Sequence, residues 1–202
     1  IKPGTPLSEV YDLDDYIIDI ENKMFTHRPD CFGLLGVARE IAGIQDIQFT
    51  SPDWYLNGAP IKVIESSEEL PLVVKNEASD VVPRFMAIAL SNIKIGPSPL
   101  RMQVQLAKLS IKPVNNIVDV TNYMMALTGQ PMHTYDYDKV AKLNSDNKAR
   151  LIIRLREKKE NEFEGEGITL LGGRRLVLNQ KAETIVIATD RQAIGIGGVM
   201  GG

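Results

Sequence analysis

Cysteine is nearly absent from this chain: Cys31 is the only one in 202 residues. A lone thiol excludes an internal disulfide and any multi-cysteine metal centre, and it fits a reducing cytoplasm, the expected location. Histidine is almost as scarce. His27 and His133 stand about a hundred positions apart, so no histidine-rich metal site is expected. Positive charge is not in excess. The formal net charge is −3, whereas a protein that grips many phosphates is normally basic. The chain is therefore not expected to bind nucleic acid mainly through its own electrostatics, although it can hold a strand's end if other domains carry the duplex. No apolar run is long enough to span a bilayer, and IKPGTPLSEV has neither the basic nor the apolar part of a secretory signal. No membrane contact is expected. A Gly-x-Ser-x-Gly elbow, a P-loop and a dinucleotide fingerprint are all missing.

What is present is ordinary globular material, 44% hydrophobic and 24% charged. The length suits one large domain or somewhat more. The absence of an initial Met and the Gly-Gly ending are expected of a piece of a longer protein.

The pattern predicts an α+β fold of mixed, largely antiparallel sheets with helices packed on one face. Tyr16–Ile20 reads as a short strand. Asp30 reads as an N-cap for a helix with Leu34, Leu35, Val37, Ala38, Ile41 and Ala42 on its apolar stripe and Gly43 as its stop. The loop-like stretch 44–60 suggests a boundary, giving residues 1–48 as one segment and 49–202 as a second domain. Ile61–Ile64, Leu72–Lys75 and the longer Arg84–Ile95 read as strands. Ser98 reads as an N-cap with Pro99 at the first helical position, and a further helix is predicted over Asn116–Leu127, ended by Gly129. From Arg150 the pattern is all strand: 151–155, 168–171, 176–178, 184–188 and a last one at 193–196, with Gly172-Gly173 as a hairpin turn. The charge cluster over 157–166 reads as a solvated loop.

The stretch Asn115–Asp136 is polar where a plain core helix would be apolar: Asp119, Thr121, Asn122. It then runs through Gly129-Gln130-Pro131-Met132 into His133. Such a backbone break placing an imidazole suggests a site. The residues alone leave two readings open for His133, an imidazole that orients a water or a substrate carbonyl, and one merely satisfied by the backbone or by Asp136. Asp119 and Asn122 share a helix face and are expected to brace nearby loops. Gly195, Gly197, Gly198, Gly201 and Gly202 form a glycine-dense ending that lets backbone approach a ligand, or simply a bulged strand and turn.

Three blocks carry a resemblance. They are His27-Arg28-Pro29-Asp30-Cys31 followed by Gly36-Val37-Ala38-Arg39-Glu40; Val118 to Tyr123 with Gly129-Gln130-Pro131-Met132-His133 and Asp136; and Gly197-Gly198-Val199-Met200-Gly201-Gly202. In this order they resemble the B3/B4 region of the bacterial phenylalanine–tRNA ligase beta subunit, with residues 1–48 similar to the end of its B1 part. The resemblance implies a second sieve that hydrolyses tyrosyl-tRNA made in error. It implies His133 as the catalytic residue, Gly201, Gly198, Lys112 and Pro131 at the substrate, and Asp119, Asn122 and Asp136 as supports behind them. Lys112 stands where the family often carries Arg, so a charge is kept and a bidentate fork is lost. His27 stands where many relatives carry Asn, and Arg28 is expected to be architectural, tying domains together.

The resemblance further implies the 3′ end of tRNA-Phe and an alpha subunit as partners, the whole enzyme being an α2β2 heterotetramer. No cofactor is expected in this chain; ATP and magnesium belong to the whole enzyme. The acid that reads a phenol lies beyond Gly202 in the family, which leaves open the activity of the chain alone. Two other readings stand beside this one: a non-catalytic structural domain of the same fold, and a free-standing hydrolase unrelated to translation.

Overall fold

A computed structural model describes residues 2–21, 23–58, 70–157, 165–179 and 181–201. The chain divides into two units. One comprises Ile1–Ile64 with Lys94–Thr134, the other Glu65–Ile93 with Tyr135–Gly202.

The described part of the first unit is helical: α1 (Leu7–Val10), α2 (Leu34–Ile44), α3 (Asp53–Asn57), α4 (Leu100–Lys108) and α5 (Asn116–Thr128), with 3-10 turns at Lys23–His27 and Pro29–Phe32. Both α2 and α4 pack on α5, and α2 also packs on the Pro29–Phe32 turn. Leu106 of α4 is fully buried, a burial that contributes about 1.5–3 kcal/mol. No described helix is long and apolar enough to cross a membrane.

The described part of the second unit holds α6 (Tyr137–Lys142) and seven strands: β1 (Val73–Asn76), β2 (Arg150–Leu155), β3 (Gly167–Thr169), β4 (Arg175–Val177), β5 (Ile185–Ala188), β6 (Ala193–Ile196) and β7 (Met200–Gly201). Five of them form one sheet in the order β1-β2-β5-β6-β7; β3 and β4 form a hairpin. The β1–β2 pair is parallel and the other pairs are antiparallel, so the α+β, largely antiparallel fold read from the sequence is present. Period-2 alternation gives the sheet two apolar faces. Val186, Ala188 and Ala193 meet Ile168, Leu170 and Leu178 of the hairpin region. Leu151 and Ile194 meet Val140 of α6, with Tyr135, Phe85 and Ile187 around them.

Two predicted strands are corrected. Tyr16–Ile20 and Arg84–Ile95 are not strands. Their alternation is real, and Met86, Ile88 and Leu90 are exposed while Phe85 packs inward. A strand needs a neighbouring ladder, however, and none reaches them among the described residues. Ile61–Ile64 lies outside the described residues. A strand not foreseen, β7, follows the one read as last.

Three caps are also corrected. Gly33, not Asp30, precedes α2, and no side chain caps it; Asp30 is held instead by the Arg28 guanidinium, through bonds of 2.9 Å. That helix runs through Gly43 to Ile44, and the left-handed residue after it is Asp46 (φ 53°). Ser98 does not cap α4, whose cap position is Pro99, because its hydroxyl is engaged elsewhere.

Candidate functional site

Helix α5 is set at both ends by local chemistry. Its N-cap Asn115 accepts from the amides of Ile117 and Val118, each at 3.0 Å. Its end is Gly129 in the left-handed region (φ 75°), whose amide donates to the Met125 carbonyl. Asp119 is buried at 1% exposure. One carboxylate oxygen accepts from Ser98 Oγ at 2.5 Å, the other from the Val114 amide at 2.8 Å. Asp119 therefore fastens the start of α4 and the loop before α5 to one helix turn. That loop carries Lys112, which is exposed and has no ion pair among the described residues. Asn122 is half-buried on α5, and no hydrogen bond of its side chain is present among the described residues.

Beyond Gly129 the chain is kept short of freedom. Thr128 Oγ1 donates to the Met124 carbonyl at 2.7 Å and accepts from the Gln130 amide at 3.2 Å. Gln130 Nε2 donates to the Pro131 carbonyl, and Pro131 has its φ fixed by its ring. Met132 and His133 follow on an exposed stretch. Enough protein still surrounds the His133 imidazole that desolvation pushes its pKa below the usual histidine value. The neutral ring, able to donate at one nitrogen and accept at the other, is thus favoured around pH 7.

In the second unit, Asp136 is the N-cap of α6 and accepts from the Lys139 amide at 3.0 Å. The sheet register shifts between Ile187 and Ala188, whose partners are Gly195 and Ala193. Ile194 is the extra residue of this bulge, so Ile194 and Gly195 address the same face. There the Tyr135 hydroxyl approaches so closely that a Cβ on Gly195 would lie 2.6 Å from its oxygen. Burial pushes the Tyr135 phenol up to about 12.

The glycine-dense ending is a turn between β6 and β7. The Gly197 amide donates to the Ile185 carbonyl at 2.9 Å and the Val199 amide to the Ile196 carbonyl at 3.1 Å. Gly198, at φ 71° with open space where a Cβ would stand, keeps an amide with no partner among the described residues. Gly201 is buried and its carbonyl accepts from the Leu171 amide at 3.1 Å. Beside this turn lies a hollow of about 360 Å³, lined by Leu170, Leu171, Arg174, Leu176, Ile196, Val199 and Met200. That volume falls within the roughly 300–1,000 Å³ of small-molecule pockets.

His133, Pro131, Lys112, Asp119 and Asn122 thus belong to the first unit, and Asp136, Gly198 and Gly201 to the second. Asp119 and Asp136 act as braces. Sequence reasoning missed Ser98 as the partner of Asp119, and it missed the Tyr135–Gly195 contact. An unexplained aspartate in a helix signals only that some donor exists. A lone glycine inside a β pattern was the available hint of a close approach. Among the described residues, no group of three or more His, Cys, Asp or Glu side chains is arranged to hold a metal ion.

The family model described as "B3/4 domain" matches residues 81–202. The chain is 35% identical over 204 residues to the phenylalanine–tRNA ligase beta subunit of Carboxydothermus hydrogenoformans, covering 98% of this chain and 22% of that protein. It is 36% identical over 211 residues to the corresponding subunit of Lactobacillus acidophilus, covering 100% of this chain and 22% of that protein. For Symbiobacterium thermophilum the identity is 32% over 202 residues, covering 100% and 20%. The chain therefore spans only 20–22% of the length of these relatives.

Proposed function

Since the chain belongs to the B3/4 domain family, and its relatives are phenylalanine–tRNA ligase beta subunits, we propose that it is the part of such a subunit that hydrolyses the ester of tyrosyl-tRNA-Phe. A pocket shaped for an apolar ring rejects an isostere with one added hydroxyl by only about a hundredfold. A second site that hydrogen-bonds the phenol discriminates by about 10⁴ to 10⁵. Ester hydrolysis in that site needs an oriented water and a donor for the developing oxyanion, without a side-chain nucleophile.

In this reading His133 is the catalytic residue and its neutral imidazole orients the water. The Gly198 amide donates to the ester oxygen. Gly201 leaves room at the substrate, while Pro131 holds the loop and Lys112 meets the 3′ end of the tRNA as a point charge. The observation that carries the reading is the Gly198 amide, without a partner among the described residues, beside a hollow of pocket size. The whole protein would charge tRNA-Phe with phenylalanine, using ATP and magnesium outside these residues, in an α2β2 assembly with the alpha subunit in the cytoplasm.

The test is deacylation of tyrosyl-tRNA-Phe by the complete enzyme carrying His133→Ala. A fall of about 10²- to 10⁴-fold is expected of a positioned acid–base group; unchanged hydrolysis removes His133 from the role. A second reading, a non-catalytic holding domain, is favoured by the net charge of −3 and by the exposed row Met86, Ile88 and Leu90. It requires that wild-type enzyme leave tyrosyl-tRNA intact.

A further inference from the structure

We propose that Gly33, together with the Arg28–Asp30–Glu40 cluster, is a positioning platform for the loop that carries His133. This rests on the role given to His133 above.

The platform is built of backbone. A Cβ on Gly33 would lie 2.2 Å from the Gly129 nitrogen and 2.5 Å from the Thr128 carbonyl carbon. A Cβ on Gly129 would lie 2.5 Å from the Pro29 carbonyl oxygen. The end of α5 therefore rests directly on the main chain of the Pro29–Phe32 turn and the start of α2, with no room for a side chain between. Contacts of this kind have no rotamers with which to adjust. A shift of the turn passes to Gly129, and Gly129 is where the His133 loop departs.

The turn is itself held. Arg28 makes a two-pronged contact with Asp30, Nε to Oδ1 and Nη2 to Oδ2, each at 2.9 Å, and its remaining Nη1 reaches Glu40 Oε2 of α2 at 2.9 Å. Arg39 adds a longer pairing to Asp30 at 3.7 Å. The Asp30 carboxyl is held below the usual carboxylate range by the Arg28 guanidinium. A planar fork fixes orientation as well as distance. Gly36 brings α2 onto the Asp30 carbonyl, where a Cβ would stand only 2.0 Å away. All these contacts lie within one unit. The Arg28-Pro29-Asp30 block and the Gly129-to-His133 block, far apart in sequence, meet at one pair of glycines.

The experiment uses the full-length protein in its native assembly, with Gly33→Ala and the milder Arg28→Lys. Two quantities are measured: the kcat and KM of tyrosyl-tRNA deacylation, and the pH dependence of His133 modification by diethyl pyrocarbonate, read by peptide mass spectrometry. Misplacement of a catalytic group by 1 Å costs on the order of a hundredfold, so Gly33→Ala is expected to lower kcat by about tenfold or more, with KM kept within about twofold. The midpoint of His133 modification should rise toward the usual histidine value as the loop opens to water. Arg28→Lys keeps the charge and loses the fork; it should move both quantities the same way by less, and it decides the matter if Gly33→Ala does not fold. A folded variant with an unchanged modification profile overturns the platform. Wild-type enzyme that leaves tyrosyl-tRNA intact refutes the editing role instead, and the modification profiles then still decide whether the platform positions His133.

Discussion

Ser98 and Asp119, 21 positions apart, meet through a hydrogen bond of 2.5 Å inside the helical unit. The carboxylate is almost fully buried and spends its second oxygen on the Val114 amide. Removing the hydroxyl with Ser98→Ala leaves a buried acceptor short of a donor, which should cost about 1–3 kcal/mol. Asp119→Ala should cost at least as much, because Val114 loses its partner too. Since the two residues share one bond, the double variant should be less destabilised than the sum, with a coupling of about 0.5–3 kcal/mol. Chemical denaturation of the four proteins measures it; strict additivity would mean the bond contributes nothing.

Gly195 faces the Tyr135 hydroxyl. The Cβ of Gly195→Ala would overlap that oxygen at 2.6 Å, and Tyr135 is packed against Val140, Leu151 and Ile194, so it has little room to retreat. Overpacking of this kind costs about 1–3 kcal/mol. Adding Tyr135→Phe removes the oxygen and should restore part of the loss. Thermal melting of the single and double variants is the check, and no recovery would place the strain elsewhere.

The same phenol predicts an alkaline limit. Its folded pKa, about 12, stands above the usual tyrosine value of 10.0. Between these two values the unfolded chain has released a proton that the folded chain keeps. Stability therefore falls as pH rises through that window, by about 2–3 kcal/mol in full. Tyr135→Phe should flatten this part of the stability curve. An unaltered curve would show that Tyr135 titrates normally.

His133 works in the opposite window. Burial lowers its folded pKa below 6.5, so below that pH the unfolded chain binds a proton the folded chain does not yet accept. Stability is lost as pH falls from 6.5 through the lowered value, and His133→Gln should remove that loss. Deacylation that depends on the neutral imidazole should likewise persist somewhat below pH 6.5. A pH–rate profile with its acid limb at or above 6.5 would contradict the assignment.

Asn115 caps α5 with one carboxamide oxygen shared by two amides. Asn115→Ala should cost about 1 kcal/mol and Asn115→Asp very little, because a carboxylate accepts the same bonds. Denaturation midpoints distinguish the two, and equal losses would remove the side chain from the capping role.

Helix α5 was legible almost to the residue. A helix is written by its own neighbours: its end was read from Gly129, and the cap at Asn115, which the sequence reading did not single out, is equally local. The strands between Arg150 and Ile196 were legible for the same reason, since each carries its own alternation, whereas the two-residue β7 is too short to show one. The loop that places His133 could be read from Gly129 and Pro131, which constrain the backbone wherever they occur. Partners could not be read. Arg84–Ile95 has a strand's alternation and no ladder among the described residues, because pairing is decided by another segment. Asp30 and Ser98 have the chemistry of helix caps and serve other groups instead, Asp30 its neighbour Arg28 and Ser98 the distant Asp119. Local chemistry along the chain is enough to define most elements and to pick out the polar residues that brace them. Which carboxylate meets which donor, and that Gly33 lies against Gly129, was decided only by tertiary structure, because contacts between segments far apart in the chain leave no periodic trace in either one.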